Sequence, residues 1–385
     1  MRAGGSDGRA SSYRVLVMAL VSLYIGLAGA GRIKVSGRQL FIDSKPFFVK
    51  GICYSPIPIN ESVYFAPYGD YFSADYSFIW LRDLPLIRAM GVNVVRTYGW
   101  QPSVDHSSFL DALAANDLYL MATYYLGDHT ESPVSTEDQR KDLIKGFVTE
   151  VERYASHPSL LMWSFGNELN GVWNGFLQEL GKSGETPCGW DDRYDDLGGC
   201  WVHKGVAPLP GSRCYDTSYC VYSRLFGFID DAARAAKEVA DVMVVSAFAD
   251  VDALSDKVER AGDLAPNVDA WTAQVYRGGS FGTFFEGMGN STAKPVLLTE
   301  YGVDAYHDEC GEGKHTPCYN TLGDSSNSYE DEYAQAEFAR NLTLEIFDAG
   351  SDKESCAGAR HGWTNCTCIG GFLMSWTCVP RVDAP

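Results

Sequence analysis

Basic side chains are scarce. The 385-residue chain carries 31 Lys and Arg against 50 Asp and Glu, a formal net charge of −19. A protein that neutralises nucleic-acid phosphates needs the opposite balance, so no nucleic-acid partner is expected. Beyond the first thirty residues no apolar run is long enough to span a bilayer, so no stable membrane insertion is expected either. There is no Gly-x-Ser-x-Gly elbow and no phosphate loop, and the seven histidines show no metal-ligand spacing. No cofactor is expected. Internal repeats and low-complexity tracts are also missing. With 45% apolar and 21% charged residues the composition is that of a globular protein.

What is plentiful is aromatic and glycine content: 13% Phe, Trp and Tyr, and 39 glycines. An acidic, aromatic-rich chain of this kind fits a secreted protein that handles neutral, hydroxylated ligands. Residues 1–30 read as a signal peptide. Arg2, Arg9 and Arg14 precede an apolar stretch from Val15 to Leu27, and Ala28-Gly29-Ala30 is a cleavage site. Residues 31–385 then form the mature domain, secreted or held at the cell surface or wall and monomeric. Eleven cysteines suit that compartment. Cys188, Cys200, Cys214 and Cys220 crowd an irregular stretch, 181–221, that reads as a disulfide-stapled insertion. The odd count leaves at least one thiol unpaired in a monomer, and Cys53, in an apolar strand, is the expected one. A zinc site at Cys366-x-Cys368 with His361 is a weaker reading, because its spacing is irregular. Sequons at Asn60, Asn290, Asn341 and Asn365 are candidate glycosylation sites.

Eight strand-like runs end near Tyr54, Tyr98, Tyr125, Phe165, Phe248, Tyr276, Thr299 and Trp376, and helical patterns alternate with them. One helix over 78–90 is closed by Gly91. Another carries Leu143, Phe147, Val151 and Tyr154 on one face. A third opens at a capping box, Ser328-x-x-Asp331, and aligns Ala334, Phe338, Leu342 and Ile346. The alternation predicts an α/β protein, a (β/α)8 TIM barrel over about 40–376. The nine residues after Trp376 are too few for an eighth helix. The expected consequence is an exposed flank holding Ile369, Phe372 and Phe48 or their neighbours, in a chain that continues beyond residue 385 in its intact form.

In such barrels the chemistry sits where strands end. The ends supply Arg96 and Tyr98, then Asn167-Glu168, then Tyr276, Glu300 and Trp376. Two carboxylates on the fourth and seventh strands would face each other across the mouth. That is the pair a retaining glycosidase needs, one to protonate the leaving oxygen and one to attack the anomeric carbon.

These residues carry a family resemblance. Trp163-Ser-Phe-Gly-Asn-Glu168 and Pro295-Val-Leu-Leu-Thr-Glu-Tyr-Gly302 resemble the two catalytic strands of clan A glycoside hydrolases. Phe48–Pro56 and Arg82–Tyr98 resemble the family 72 β-1,3-glucanosyltransferases, with family 5 and family 2 barrels as relatives. The resemblance implies Glu168 as general acid/base and Glu300 as nucleophile. It implies Asn167 on the sugar 2-hydroxyl, Tyr276 donating to the nucleophile, and Arg96 behind Glu300. It also implies Trp376 as a stacking platform; Tyr98, from its place at the end of the second strand, is a further candidate substrate-binding residue. The expected function is a secreted retaining glycosidase or transglycosidase on a β-linked polysaccharide, foremost β-1,3-glucan. An endo-β-glucanase or mannanase, and a non-catalytic polysaccharide-binding barrel, are the alternatives. Thr377-Cys-Val-Pro-Arg and the 181–221 insertion depart from the family pattern.

Overall fold

The computed structural model describes residues 32–102, 104–126, 137–171, 217–250, 254–303, 306–308, 328–351 and 366–376. Eight parallel strands close into a barrel. They are β4 (Val49–Tyr54), β5 (Val94–Trp100), β6 (Tyr119–Tyr124), β7 (Leu160–Asn167), β8 (Met243–Ala249), β9 (Trp271–Val275), β10 (Val296–Tyr301) and β13 (Cys368–Trp376). The outer layer holds α1 (Ser77–Ala89), α2 (Ser107–Ala115), α3 (Glu137–Tyr154), α4 (Thr217–Val239), α5 (Leu254–Ala261), α6 (Phe284–Ser291) and α7 (Glu332–Asp348). A small antiparallel pair, β11 (Tyr306–Asp308) with β12 (Ser328–Glu330), stands apart from the barrel sheet.

Alternating side chains divide the apolar residues into two cores. Val49, Cys53, Val94, Met121, Val245, Leu297 and Ile369 fill the barrel interior. Ile52, Val95, Leu120, Trp163, Val244 and Trp271 point outward beneath the helices. The α3 stripe is as expected, with Phe147, Val151 and Tyr154 buried. Gly91 closes α1 with φ +88°, a conformation that a side chain would strain.

The chain before the barrel forms a three-stranded antiparallel sheet, β1 (Ile33–Ser36), β2 (Gln39–Ile42) and β3 (Lys45–Pro46). Its Leu40 and Ile42 join the interior core and plug the N-terminal end of the barrel. Arg38 pins this plug. Its guanidinium is buried and donates to the Gly289 carbonyl at 2.7 Å, to the Thr292 carbonyl, and to Thr367 Oγ1 at 3.4 Å.

Three expectations need correction. Ile369, Phe372 and Phe48 do not form an exposed flank: all three are buried. Ile369 and Phe372 turn into the barrel, where Phe372 lies directly over Gly51, a position with no room for a side chain. Phe48 stacks on Phe347 of α7, with ring centroids 5.2 Å apart. Outside β13, Gly371 lets Ile346 and Tyr301 close in. The seam between β13 and β4 is therefore covered by side chains of α7 and by the small residue beneath it. The N-cap of α7 is Asp331 rather than Ser328. Asp331 accepts from Ala334 N at 2.9 Å, while Ser328 belongs to β12. Finally, α4 begins at Thr217, inside the stretch expected to be irregular.

Cys53 is a buried thiol outside any disulfide, as expected, and Cys368 at the start of β13 is a second one. Cys366 is disulfide-bonded, which removes that thiol from the zinc reading. Residues 1–30, the insertion up to residue 216, Cys310, Cys318, Cys356, Cys378, His361 and Asn365 lie outside the described residues. Asn60 and Asn290 are exposed, and Asn341 is half-buried on α7. No described helix is long and apolar enough to cross a membrane.

Candidate active site

The regular ladder breaks at the C-terminal rim. An extra residue enters β5 between Thr97 and Trp100, β7 between Ser164 and Asn167, and β10 between Leu298 and Glu300. Bulges re-aim side chains. On β10, Leu297 faces the interior and Leu298 the helices. The bulge returns Glu300 to the interior side, where it meets Arg96 from β5.

Arg96 is fully buried, and its Nη1 donates to Glu300 Oε1 at 2.8 Å and to the Thr299 carbonyl at 2.8 Å. The Tyr98 hydroxyl accepts from the same nitrogen at 3.1 Å and donates to Glu300 Oε1 at 2.5 Å. From β9, the Tyr276 hydroxyl donates to Glu300 Oε2 at 2.8 Å. Three donors thus converge on one buried carboxyl group, an arrangement that suits a negatively charged acceptor. Burial, and next the charge of Glu300, push the Tyr276 hydroxyl up from its ordinary value. Burial likewise pushes Tyr98 well up. Both phenols therefore keep the protons they donate.

Glu168 is placed differently. The chain leaves β7 through Gly166 at φ +77° and Glu168 itself at φ +50°, a left-handed conformation costly for a glutamate. A Cβ on Gly166 would crowd Leu126 and Leu169. The turn is pinned by Glu168 N donating to the Ala247 carbonyl at 2.7 Å. Asn170 clasps Ala249, donating to its carbonyl at 2.9 Å and accepting from its amide at 2.8 Å. The Glu168 carboxyl is half-buried and has no hydrogen-bond donor among the described residues. Burial raises its pKa, and the negative charge of Glu300 raises it further, against a smaller opposing pull from Arg96. Two carboxyl groups on opposite sides of the mouth therefore have different environments. One is cradled by donors and the other is biased toward its protonated form, the division of labour that acid/base chemistry requires.

Asn167 stands between them. Its Oδ1 accepts from Arg96 Nη2 at 2.5 Å and from Gln274 Nε2 at 2.5 Å. Of the expected residues, Arg96, Tyr98, Asn167, Tyr276 and Glu300 thus meet in one hydrogen-bonded network, with Glu168 electrostatically coupled to it. Trp376 ends β13 beside Tyr54 in the ladder, but its side chain lies outside the described residues.

Gln274 was not among the expected site residues. The alternation of β9 was a usable signal, since a residue two before Tyr276 must share its face. Cys53 also reaches the network, with Sγ 3.5 Å from the Thr299 carbonyl, and burial raises its pKa to about 12. At the rim, Arg277 grips Asp250 with Nε–Oδ2 2.6 Å and Nη2–Oδ1 2.8 Å, tying the end of β9 to that of β8. Among the described residues no cluster of His, Cys, Asp or Glu could hold a metal ion.

A sequence profile described as glucanosyltransferase, glycoside hydrolase family 72, matches residues 27–175. That segment contains Arg96, Tyr98, Asn167 and Glu168 but not Tyr276 or Glu300. The 1,3-beta-glucanosyltransferase GAS2 of Saccharomyces cerevisiae is 28% identical over 150 residues, covering 36% of this chain and 26% of that protein. The 1,3-beta-glucanosyltransferase gas1 of Schizosaccharomyces pombe is 27% identical over 168 residues, covering 41% and 29%. The matched segments therefore amount to less than a third of those relatives. A solved structure of Saccharomyces cerevisiae Gas2p in complex with laminaripentaose superposes with a TM-score of 0.52 at 16% identity, over 89% of this chain and 61% of that one. The likeness extends the shared barrel fold beyond residue 175, past both Tyr276 and Glu300. The chain is a (β/α)8 barrel whose N-terminal part resembles the family 72 glucanosyltransferases.

Proposed function

We propose that the protein is a retaining glycoside transferase or hydrolase acting on β-1,3-glucan. The observation that carries this reading is the three-donor cradle of Glu300 set against a half-buried Glu168 of raised pKa. In the first step Glu300 attacks the anomeric carbon while Glu168 gives its proton to the departing glycosidic oxygen, leaving a glycosyl–Glu300 ester. In the second step Glu168 takes a proton from an incoming hydroxyl, whose oxygen displaces Glu300. Arg96, Tyr98 and Tyr276 hold the carboxylate in its attacking orientation and stabilise the negative charge when it departs. The named relatives, glucanosyltransferases that include a protein solved with laminaripentaose, support glucan as donor and a second sugar as acceptor.

The test is a product profile on reduced laminari-oligosaccharides, run with protein recovered from culture medium. Its N-terminus and mass read out the 1–30 signal and the glycans at the sequons. Products longer than the donor are expected. Shorter products alone would make the protein an endo-glucanase, and saturable glucan binding with no product would make it a binding barrel.

The raised pKa of Glu168 also sets a pH dependence. The proton donor is the active form, so kcat/KM should fall as pH rises through the Glu168 pKa, above the ordinary carboxylate range. The sign for stability follows from the same shift. The folded state holds this proton more tightly than the unfolded chain, so above the unfolded pKa ionising Glu168 costs stability. Glu168→Gln should therefore lose the alkaline limb along with most turnover, yet melt at or above the wild-type temperature near neutral pH. A Glu168→Gln protein with wild-type turnover would remove Glu168 from the mechanism.

A further inference from the structure

We infer that Gln274 is a positioning residue that orients Asn167 toward the sugar 2-hydroxyl, an inference that rests on the glycosidase reading above. Gln274 lies deep in the barrel, 3% exposed, and touches neither carboxyl group by hydrogen bond. Its role follows from the hydrogen-bond inventory of its neighbours. A guanidinium can only donate, so the Asn167 atom facing Arg96 Nη2 at 2.5 Å is the amide oxygen. Gln274 meets that same oxygen at 2.5 Å, so it presents its amide nitrogen. Two donors then occupy both lone pairs of Asn167 Oδ1, and the Asn167 amide plane is fixed from two strands, β5 and β9.

The consequence lies at the other end of the amide. Asn167 Nδ2 must point away from Arg96 and Gln274, and it has no hydrogen-bond acceptor among the described residues. Asn167 is half-buried, between the Glu300 cradle and the turn that carries Glu168. Its free donor is thereby aimed at the sugar position that both carboxyl groups address. Arg96 alone supplies a single donor, about which the amide can pivot. Gln274 removes that freedom before substrate arrives, which is how a supporting residue makes a hydrogen bond effective in the transition state.

The test compares two probes, an aryl β-laminaribioside and its analogue lacking the 2-hydroxyl on the cleaved unit. The wild type should favour the hydroxylated probe in kcat/KM, because 2-hydroxyl contacts strengthen in the transition state. Gln274→Met keeps length and apolar bulk but has no donor. It should shrink that preference by about tenfold, acting mainly on kcat, with the melting transition retained. In an Asn167→Ala background the same substitution should change the preference no further, since the residue acts through Asn167. If Gln274→Met does not fold, Gln274→Leu gives the same reading, because its side chain likewise has no donor. A folded Gln274 variant with the wild-type preference, or an additive effect on top of Asn167→Ala, overturns the inference alone. A wild type that cleaves neither this probe nor laminari-oligosaccharides overturns the glycosidase reading and the inference with it.

Discussion

Replacing Glu300 by alanine is expected to lower glucan turnover by at least about 10⁴-fold, the scale seen when a covalent nucleophile is removed. No other group can take over the attack, because the nearest side chains are donors. Arg96, Tyr98 and Tyr276 all point their protons at the vacated position. That arrangement supplies its own control. A small anion such as azide, added to Glu300→Ala, should occupy the cradle and attack the anomeric carbon from the face the carboxylate used. Turnover of an activated aryl glucoside should then return in part, with the glycosyl azide in the inverted configuration. A folded Glu300→Ala protein that keeps more than a tenth of wild-type activity would exclude Glu300 as nucleophile. Glycosyl azide of retained configuration would do the same.

Arg96→Met should produce the second large effect, on stability as well as activity. The Arg96–Glu300 pair is 2.8 Å apart, with side-chain exposures of 0% and 8%. Removing one partner of a buried pair strands the other, at a cost of about 3–5 kcal/mol. Here the stranded group is Glu300, and Asn167 Oδ1 and the Thr299 carbonyl lose a donor as well. For a chain of this size about 3–5 kcal/mol corresponds to a fall in melting temperature on the order of 10 °C. Adding Glu300→Leu to Arg96→Met should recover part of that loss, because neither charge then remains buried. Urea unfolding followed by tryptophan fluorescence measures both. An Arg96→Met protein within about 0.5 kcal/mol of wild type, the range of ordinary surface changes, would mean that water reaches the pair.

Strand order and strand ends were legible in the sequence because β-period and helix-period patterns alternate cleanly. The runs ending near Tyr98, Phe165, Tyr276 and Thr299 became β5, β7, β9 and β10, displaced by a few residues. The displacement has a cause. Extra residues at the rim continue the ladder past the point where the apolar run stops, so β7 extends to Asn167 and β10 to Tyr301. Five residues expected at the site meet in one network because each lies in or just after the C-terminal part of a barrel strand and carries chemistry an apolar strand would otherwise avoid. Gln274 escaped notice because a single glutamine inside a strand looks no different from a solvated one. Its shared face with Tyr276, two residues on, was the one usable signal, and its burial and its bond to Asn167 place it in the site. The exposed flank was misjudged for a related reason. Counting helices assumes that every seam needs one, whereas Gly371 and Gly51 thin this wall enough for α7 and Phe372 to close it from either side.

The plug at the foot of the barrel sets a schedule for folding. Arg38 bonds to Thr367 across a sequence separation of 329 residues. The plug and the final seam therefore cannot be completed until almost the whole chain is available. At ~5–20 residues per second, an N-terminal segment waits on the order of 20–60 s for its partner. Throughout that interval the edge of β4 that takes β13 has no native partner, and Leu40 and Ile42, though paired within their own small sheet, have no closed barrel to plug. Contacts of such long range also make folding slow once synthesis ends. The same geometry makes the barrel all-or-none: a chain halted before Thr367 leaves Arg38 without that hydroxyl and, lacking β13, a sheet still open along one edge.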